Sequence, residues 1–413
     1  MGYKVSDKNM KYLFIDANNR ISYDEDNYYL NGRSMSNESG GNTAELAKAL
    51  AASRVAENII KFSNAFKNVA ILTAAGTSMD NGANSGKSRG GLWTYCEQEI
   101  NALYGALQDK GENLKENLDK AKEDKNIEDF LSIVVLYEKL NGIIKNDEDK
   151  SIRACLQQKI AEACTLKLDG NNRHHSDFLR KLTARKPSDP RVQLYTTNYD
   201  TLFEQAAMQA GLTVIDGFTF SHPRKFSGVN FDYDIVYRER SRIKPDESFI
   251  PNIFQLLKVH GSIDWWKDED ETIYQKDGVK NPCIIYPASD KYESSYEQPY
   301  IELIAHFQQT LRKEGTLLIV IGFGFKDKHL QSIIKEAVNQ NSHFHLLIVC
   351  YGKDNEGNET GILQDYSTDF IMGEDLKVPS NVSVLFSTFK DFVEAYPLNL
   401  AYSDNTQQHY ATV

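Results

Sequence analysis

Several familiar signposts are missing from this sequence. The five cysteines (Cys96, Cys155, Cys164, Cys283, Cys350) are odd in number and widely spaced, and no C-x-x-C pair occurs. That excludes a disulfide framework and a zinc ribbon. No apolar run is long enough to span a bilayer, and the start of the chain lacks the positive cluster and apolar core of a secretion signal. Met1-Gly2 with Ser6 fits a short acylation pattern that chance often produces, so the expected location is the cytosol, with no membrane contact. Basic charge is not in excess: 47 Lys and Arg against 58 Asp and Glu give a formal net charge of -11. This argues against direct nucleic-acid binding as the main task. Neither a G-x-G-x-x-G fingerprint nor a G-x-S-x-G elbow is present. His174-His175, and His343 with His345, lack the matching Cys or carboxylate spacings of a metal site, so no metal is expected.

What is present is the material of a globular protein. The 413 residues are 41% hydrophobic and 25% charged, enough for one large or two medium domains. Lys11 to Leu30 alternates around an Asn-Asn turn and predicts a β-hairpin; Asn31 to Asn42 predicts a loop and Thr43 to Phe66 a helix. Residues 1–66 thus read as an N-terminal extension. Asn68 to Ala75, Val192 to Tyr195, Ile253 to Val259, Thr316 to Ile321 and His345 to Cys350 are apolar runs of buried-strand length. Shorter extended segments are expected at Leu212–Ile215, Tyr233–Tyr237, Ile273–Gln275, Cys283–Tyr286 and Val382–Phe386. Helical stripes fill much of what lies between, and a long helical stretch over about 92–186 reads as an insertion between two strands. Strands alternating with helices predict an α/β fold, a doubly wound and largely parallel Rossmann-like sheet over 67–402. A polar tail follows from Ser403.

In such sheets ligands bind beyond the carboxyl ends of the strands. Four strand ends carry small or polar residues: AAGTS (Ala74–Ser78), TTNYD (Thr196–Asp200), KVHG (Lys258–Gly261) and GFGF (Gly322–Phe325). Asn198 follows a strand, with Asp200 placed to cap the next helix. Gly76 lets backbone come close to a ligand, and Gly322 and Gly324 do the same. His260 is the candidate general base, since imidazole exchanges protons near neutral pH. The run GANSGKS (Gly82–Ser88) imitates a phosphate-binding loop but has three residues where four are needed, so it reads as a solvated loop.

These four segments, in this order, resemble the sirtuin family. AAGTS is similar to its G-A-G-x-S, TTNYD to its T-x-N-x-D, KVHG to its K-x-H-G, and GFGF to its late glycine motif. The form TTNYD with a later GFGFKDKH is more similar to bacterial sirtuin-like NAD-cleaving defence proteins than to the protein deacylases. The resemblance implies NAD as substrate and an NAD⁺ glycohydrolase activity. It implies that Asn198 aims the attacking water and His260 accepts a proton. It places Asp200 at the nicotinamide carboxamide, Ala75, Gly76, Thr77 and Ser78 at diphosphate and ribose, and Gly322, Phe323 and Gly324 on the adenosine side, with Thr197 and Gly261 beside them. The deacylases' zinc module needs two C-x-x-C pairs, which this chain lacks; that argues against peptide deacylation and zinc. The resemblance further implies one subunit of a two-gene anti-phage pair, whose partner is a HerA-type hexameric ATPase, with self-association of this chain into a large homo-oligomer inside a larger hetero-oligomer. Two other functions share these features: an NAD-binding sensor without turnover, and a zinc-independent deacylase or ADP-ribosyl transferase.

Overall fold

The computed structural model describes residues 11–23, 27–35, 44–146, 149–238, 248–286, 298–325, 327–350, 370 and 377–399. The expected tail from Ser403, the pattern at Met1-Gly2 and residues 36–42 of the expected loop lie outside them.

The chain opens with β1 (Lys11–Ile15), β2 (Arg20–Tyr23), β3 (Tyr28–Leu30) and β4 (Arg33–Ser34), each antiparallel to the next. Helix α1 (Ala44–Ala65) leads to β5 (Asn68–Thr73) and the single turn α2 (Ala75–Met79). Five helices follow: α3 (Arg89–Tyr95), α4 (Glu97–Leu107), α5 (Glu112–Glu123), α6 (Ile127–Asn141) and α7 (Ile152–Ala163). Then come α8 (His174–Thr183), β6 (Val192–Thr196), α9 (Leu202–Ala210), β7 (Thr213–Ile215) and β8 (Ile253–Lys258). A two-stranded ribbon, β9 (Trp265–Lys267) with β10 (Ile273–Gln275), precedes α10 (Tyr300–Arg312). The last elements are β11 (Thr316–Ile321), α11 (Lys328–Gln340), β12 (Phe344–Cys350), β13 (Val382–Phe386) and α12 (Phe389–Ala395).

One sheet of 11 strands organises the molecule, in the order β4-β3-β2-β1-β13-β12-β11-β5-β6-β8-β7. From β13 to β7 every pairing is parallel. Strands β8, β11 and β12 are buried along their whole length, as a sheet covered on both faces requires. Alternate residues face opposite layers. Ala70 and Leu72 join a core with α10 and α11, while Val69 and Ile71 join one with α1, α8, α9 and α12. The fold is therefore a doubly wound α/β sheet of Rossmann-like kind.

Four details depart from the sequence reading. The N-terminal strands are no appendage, because β1 pairs antiparallel with β13 and continues the sheet. Unpaired, that edge of β13 would expose a row of backbone donors and acceptors. Tyr233–Tyr237 forms no strand; only Val236 bridges, to Phe249. Cys283–Tyr286 likewise contributes only the bridge from Ile284 to Gly261. In the helical stretch, α3 to α7 share a core of their own, built on residues such as Trp93, Leu103, Phe130 and Ile160. Helix α8 instead packs Phe178, Leu179 and Leu182 onto the sheet.

The order of strands places the site. From β5 the sheet extends through β6 and β8 to β7 on one side, and the chain then crosses to β11, β12 and β13 on the other. The switch falls between β5 and β11, where crevices for ligands open. Register then aligns the strand ends: Thr73 pairs with Ile321 and with Thr196, and Thr196 with Lys258. The four segments that follow leave the sheet along one edge.

Candidate active site

At the switch point two backbones touch. A Cβ on Gly76 would stand 2.6 Å from Gly322 Cα, and Gly322 has φ +64, which L side chains rarely adopt. The Gly76 N–H donates to the Gly322 carbonyl at 3.3 Å. These glycines serve each other's approach and fix the AAGTS turn against GFGF.

Asn198 ties the second segment to the first. Its Nδ2 lies 3.0 Å from the Ala74 carbonyl, 2.8 Å from Ser78 Oγ and 3.1 Å from Thr77 Oγ1. A carbonyl needs a donor, so the amide nitrogen faces Ala74 and the two N–H groups are spent there and on the hydroxyls. That leaves Oδ1, an acceptor, as the unused end of the amide. Ser78 Oγ in turn donates to Asp200 Oδ2 at 2.6 Å, and Asp200 Oδ1 accepts from Leu202 N at 3.1 Å. Asp200 is not the N-cap expected of it: α9 begins at Leu202, with Thr201 at the cap and no side-chain cap bond. The carboxylate is shared instead between the Ser78 hydroxyl and the N–H of Leu202, the first residue of the helix.

Lys258 stands beneath this loop, 3% exposed. Its ammonium donates to the carbonyls of Asp200 and Tyr199 and to Glu204 Oε1, the last at 2.9 Å. Burial alone would depress its pKa, but Glu204, Asp264 and Asp200 outweigh that and hold it above the ordinary lysine value. Burial pushes Glu204 up to about 7 against the pull of Lys258. Carboxyl group and amine are thus held together at some electrostatic cost, which three hydrogen bonds offset.

His260 comes next on the chain. Its Nε2 is 3.0 Å from Asp327 Oδ2, and both side chains are nearly buried. Gly261 turns the chain at φ +83, where a Cβ would meet the Cys283 carbonyl at 2.2 Å.

These groups surround one cavity of about 500 Å³, within the range of small-molecule sites. Of the residues expected to hold NAD, Ala75, Ser78, Thr197, Asn198, Asp200, His260, Gly322, Phe323 and Gly324 line it. Gly76, Thr77 and Gly261 do not; they stand behind the wall, as backbone contact, hydrogen-bond partner and turn. Among the lining residues that sequence reasoning missed are Lys87, Glu128, Cys164 and Asp327. The signal for Asp327 was legible, an Asp immediately before a helical stripe and after GFGF. Lys87 belongs to the dismissed GANSGKS loop, which folds back on the site because Gly86 N donates to the Ser78 carbonyl at 2.8 Å. Cys164 caps α7, and burial, then Asp200, pushes its thiol up to about 12, far from a thiolate nucleophile. Among the described residues no group of three or more His, Cys, Asp or Glu could hold a metal ion, and no helix is long and apolar enough to cross a membrane.

Residues 192–371 match the family model of the SIR2-like domain. The likeness to that domain is a property of this span, which is less than half of the chain. The matched span runs from β6 past β12, so it holds Asn198, Lys258, His260 and Asp327 but not the AAGTS turn. Proteins of this family are NAD-dependent enzymes. No curated protein matches the chain. A solved structure from work on the structural basis for the mechanism and regulation of Sir2 enzymes is similar over 86% of this chain and 98% of its own, at 11% identity and a TM-score of 0.38. The architecture given above rests on this chain's own strand order.

Proposed function

We propose that this sirtuin-like chain is an NAD⁺ glycohydrolase that cleaves NAD⁺ to nicotinamide and ADP-ribose. The observation that carries the reading is the meeting of Asn198 and His260 in one cavity floored by touching glycine turns. NAD⁺ would fit this donor set: Ala75, Gly322 and Gly324 line the cavity with backbone that a dinucleotide could approach, and Lys87 lines the same cavity with a cation. Nicotinamide departs with the electron pair of the broken C–N bond and leaves as a neutral base, so little acid assistance is needed. What the protein must supply is a placed water and a proton acceptor. Asn198 Oδ1, the end of the amide not used in holding the AAGTS turn, accepts a hydrogen bond from that water. The water oxygen bonds to the ribose carbon, and its proton goes to His260. Asp200, with both oxygens already engaged by Ser78 and Leu202, retains lone pairs for the nicotinamide carboxamide.

In the cell, this activity would make the chain an effector of anti-phage defence that depletes NAD⁺ with a HerA-type ATPase as partner, in a large oligomer. The order TTNYD, KVHG, GFGFKDKH supports that reading. The test is product chromatography after incubation with NAD⁺, alone and with the ATPase. His260→Ala should cut the rate by about 10²–10⁴ while NAD⁺ binding stays within about tenfold. Asn198→Ala should lose rate comparably. Binding without turnover by the parent chain under both conditions would favour an NAD sensor, and a product that changes on adding a peptide acceptor would favour a transferase.

A further inference from the structure

We infer that Asp327 is the positioning residue for His260, and that it decides which ring nitrogen works as the base. The inference rests on the NAD⁺-cleaving reading of this cavity. A carboxylate only accepts, so the 3.0 Å contact between Asp327 Oδ2 and His260 Nε2 puts the ring proton on Nε2. Nδ1 is then the nitrogen that carries the lone pair. When it takes a proton, the resulting imidazolium already has its other N–H on an anion.

The carboxylate is itself held. Asp327 is the N-cap of α11, and its Oδ1 accepts from His329 N at 3.1 Å and Leu330 N at 3.2 Å. Rotating it away from His260 would uncap a helix of 13 residues. On the other side the backbone of His260 is fixed, with its carbonyl accepting from Ile285 N at 2.9 Å and Val259 N donating to Thr196 O at 3.0 Å. Side-chain rotation is the freedom that remains, and Asp327 removes it. Lys87, Glu128, Cys164, Tyr199 and Asp200 line the same cavity, yet Asp327 is the group hydrogen-bonded to the ring among the described residues. One carboxylate therefore joins the start of α11 to the base, across the β11 side of the switch point.

Two substitutions separate this role from helix capping. Ser at the position still caps but is too short to reach the ring; Asn caps with its single oxygen and turns an NH2 donor toward the ring. Asp327→Ser should lower kcat by about tenfold to a hundredfold, with NAD⁺ affinity within about threefold and an unchanged unfolding midpoint. Asp327→Asn should lose as much or more, because its NH2 donor favours the tautomer with the ring proton on Nδ1. A second readout needs no turnover: the ring signal of His260 in the full chain carrying ¹³C-labelled histidine, assigned by its loss in His260→Ala. It should move in Asp327→Ser while the other histidine signals stay. A Ser variant that turns over at the parent rate overturns the inference, and so does an unmoved ring signal. If the parent itself never cleaves NAD⁺, the functional reading fails, and the ring signal still decides whether Asp327 holds His260.

Discussion

The cavity has two walls made in different ways. The sheet wall, from AAGTS, TTNYD, KVHG and GFGF, is stiffened by buried polar contacts: Asn198 on Ala74 and Ser78, Ser78 on Asp200, Lys258 on Tyr199, Asp200 and Glu204. The wall from α3 to α7 brings Leu92, Ile127, Glu128 and Cys164 to the cavity from a separate apolar core. Several of its ion pairs lie at the surface, among them Lys145 with Asp149 and Lys159 with Glu162. On the proposed NAD⁺-cleaving reading, the difference follows from what each wall would have to do. Groups that aim a water need fixed hydrogen bonds in a low-dielectric setting. A wall that encloses a dinucleotide needs shape, which an apolar core supplies.

The largest expected effect tests the stiff wall. Lys258→Met leaves Glu204 and two carbonyls without their cation, and breaking such a pair costs about 3–5 kcal/mol. Glu204 keeps 23% of its exposure, so the lower end is expected. Replacing both partners, Lys258→Met with Glu204→Leu, should recover most of that stability, because an apolar pair carries no desolvation penalty. Turnover should stay low in the double variant, since the tether to the TTNYD loop is gone. Denaturant unfolding gives the first comparison and NAD⁺ cleavage the second. A double variant as active as the parent would mean that the loop needs no tether.

How much of this was readable follows the same division. The parallel strands were legible because burial on both faces leaves nearly continuous apolar runs, as in Thr316–Ile321. Polar residues closing such runs, Asn198 and His260, stood out for that reason. The edges of the fold were harder. Tyr233–Tyr237 has strand composition but finds only one bridge, because pairing depends on a partner elsewhere in the chain. Contacts between distant segments left no local mark: Lys258 with Glu204 on α9, Asp327 with His260, and Cys164 at the cavity. Gly76 was read as room for a ligand, whereas its neighbour is Gly322, 246 residues later along the chain and adjacent only once β5 pairs with β11. The N-terminal strands were set apart for want of a visible partner, which turned out to be β13.

A middle-sized effect probes the layer behind the sheet wall. His175 on α8 is fully buried between the rings of Phe203 and Phe389, and neither ring nitrogen has a hydrogen-bond partner among the described residues. Burial pushes its pKa down to about 4 from the ordinary 6.5. A histidine kept neutral in the fold gains a proton on unfolding once the pH is below 6.5. Its contribution to stability is therefore whole above that value and is lost as the pH falls toward 4. His345, stacked on Phe62 and also pushed down to about 4, acts in the same direction. His175→Phe should remove one of these acid-sensitive terms, worth roughly 1–2 kcal/mol at pH 5.5. Against the parent, the variant should gain stability between pH 7 and 5.5. Parallel pH profiles for the two chains would show that His175 does not titrate on unfolding.

The smallest effect is expected on the other wall, and its smallness is the point. Lys145 Nζ lies 2.8 Å from Asp149 Oδ1, a shorter contact than Lys258 makes with Glu204, but the two side chains are 50% and 84% exposed. Water screens such a pair, and holding two long side chains in place costs entropy that cancels most of the attraction. Distance alone would rank this pair above the buried one; solvent exposure reverses the order. Lys145→Ala keeps the backbone bridge from residue 145 to Ser151 and should leave the unfolding midpoint within about one degree of the parent, at low and high salt alike. NAD⁺ turnover should also be unchanged, because no bond from Lys145 reaches the cavity. A fall in midpoint comparable to that of Lys258→Met would show that the helical wall, too, depends on its ion pairs, and the contrast between the two walls would have to be given up.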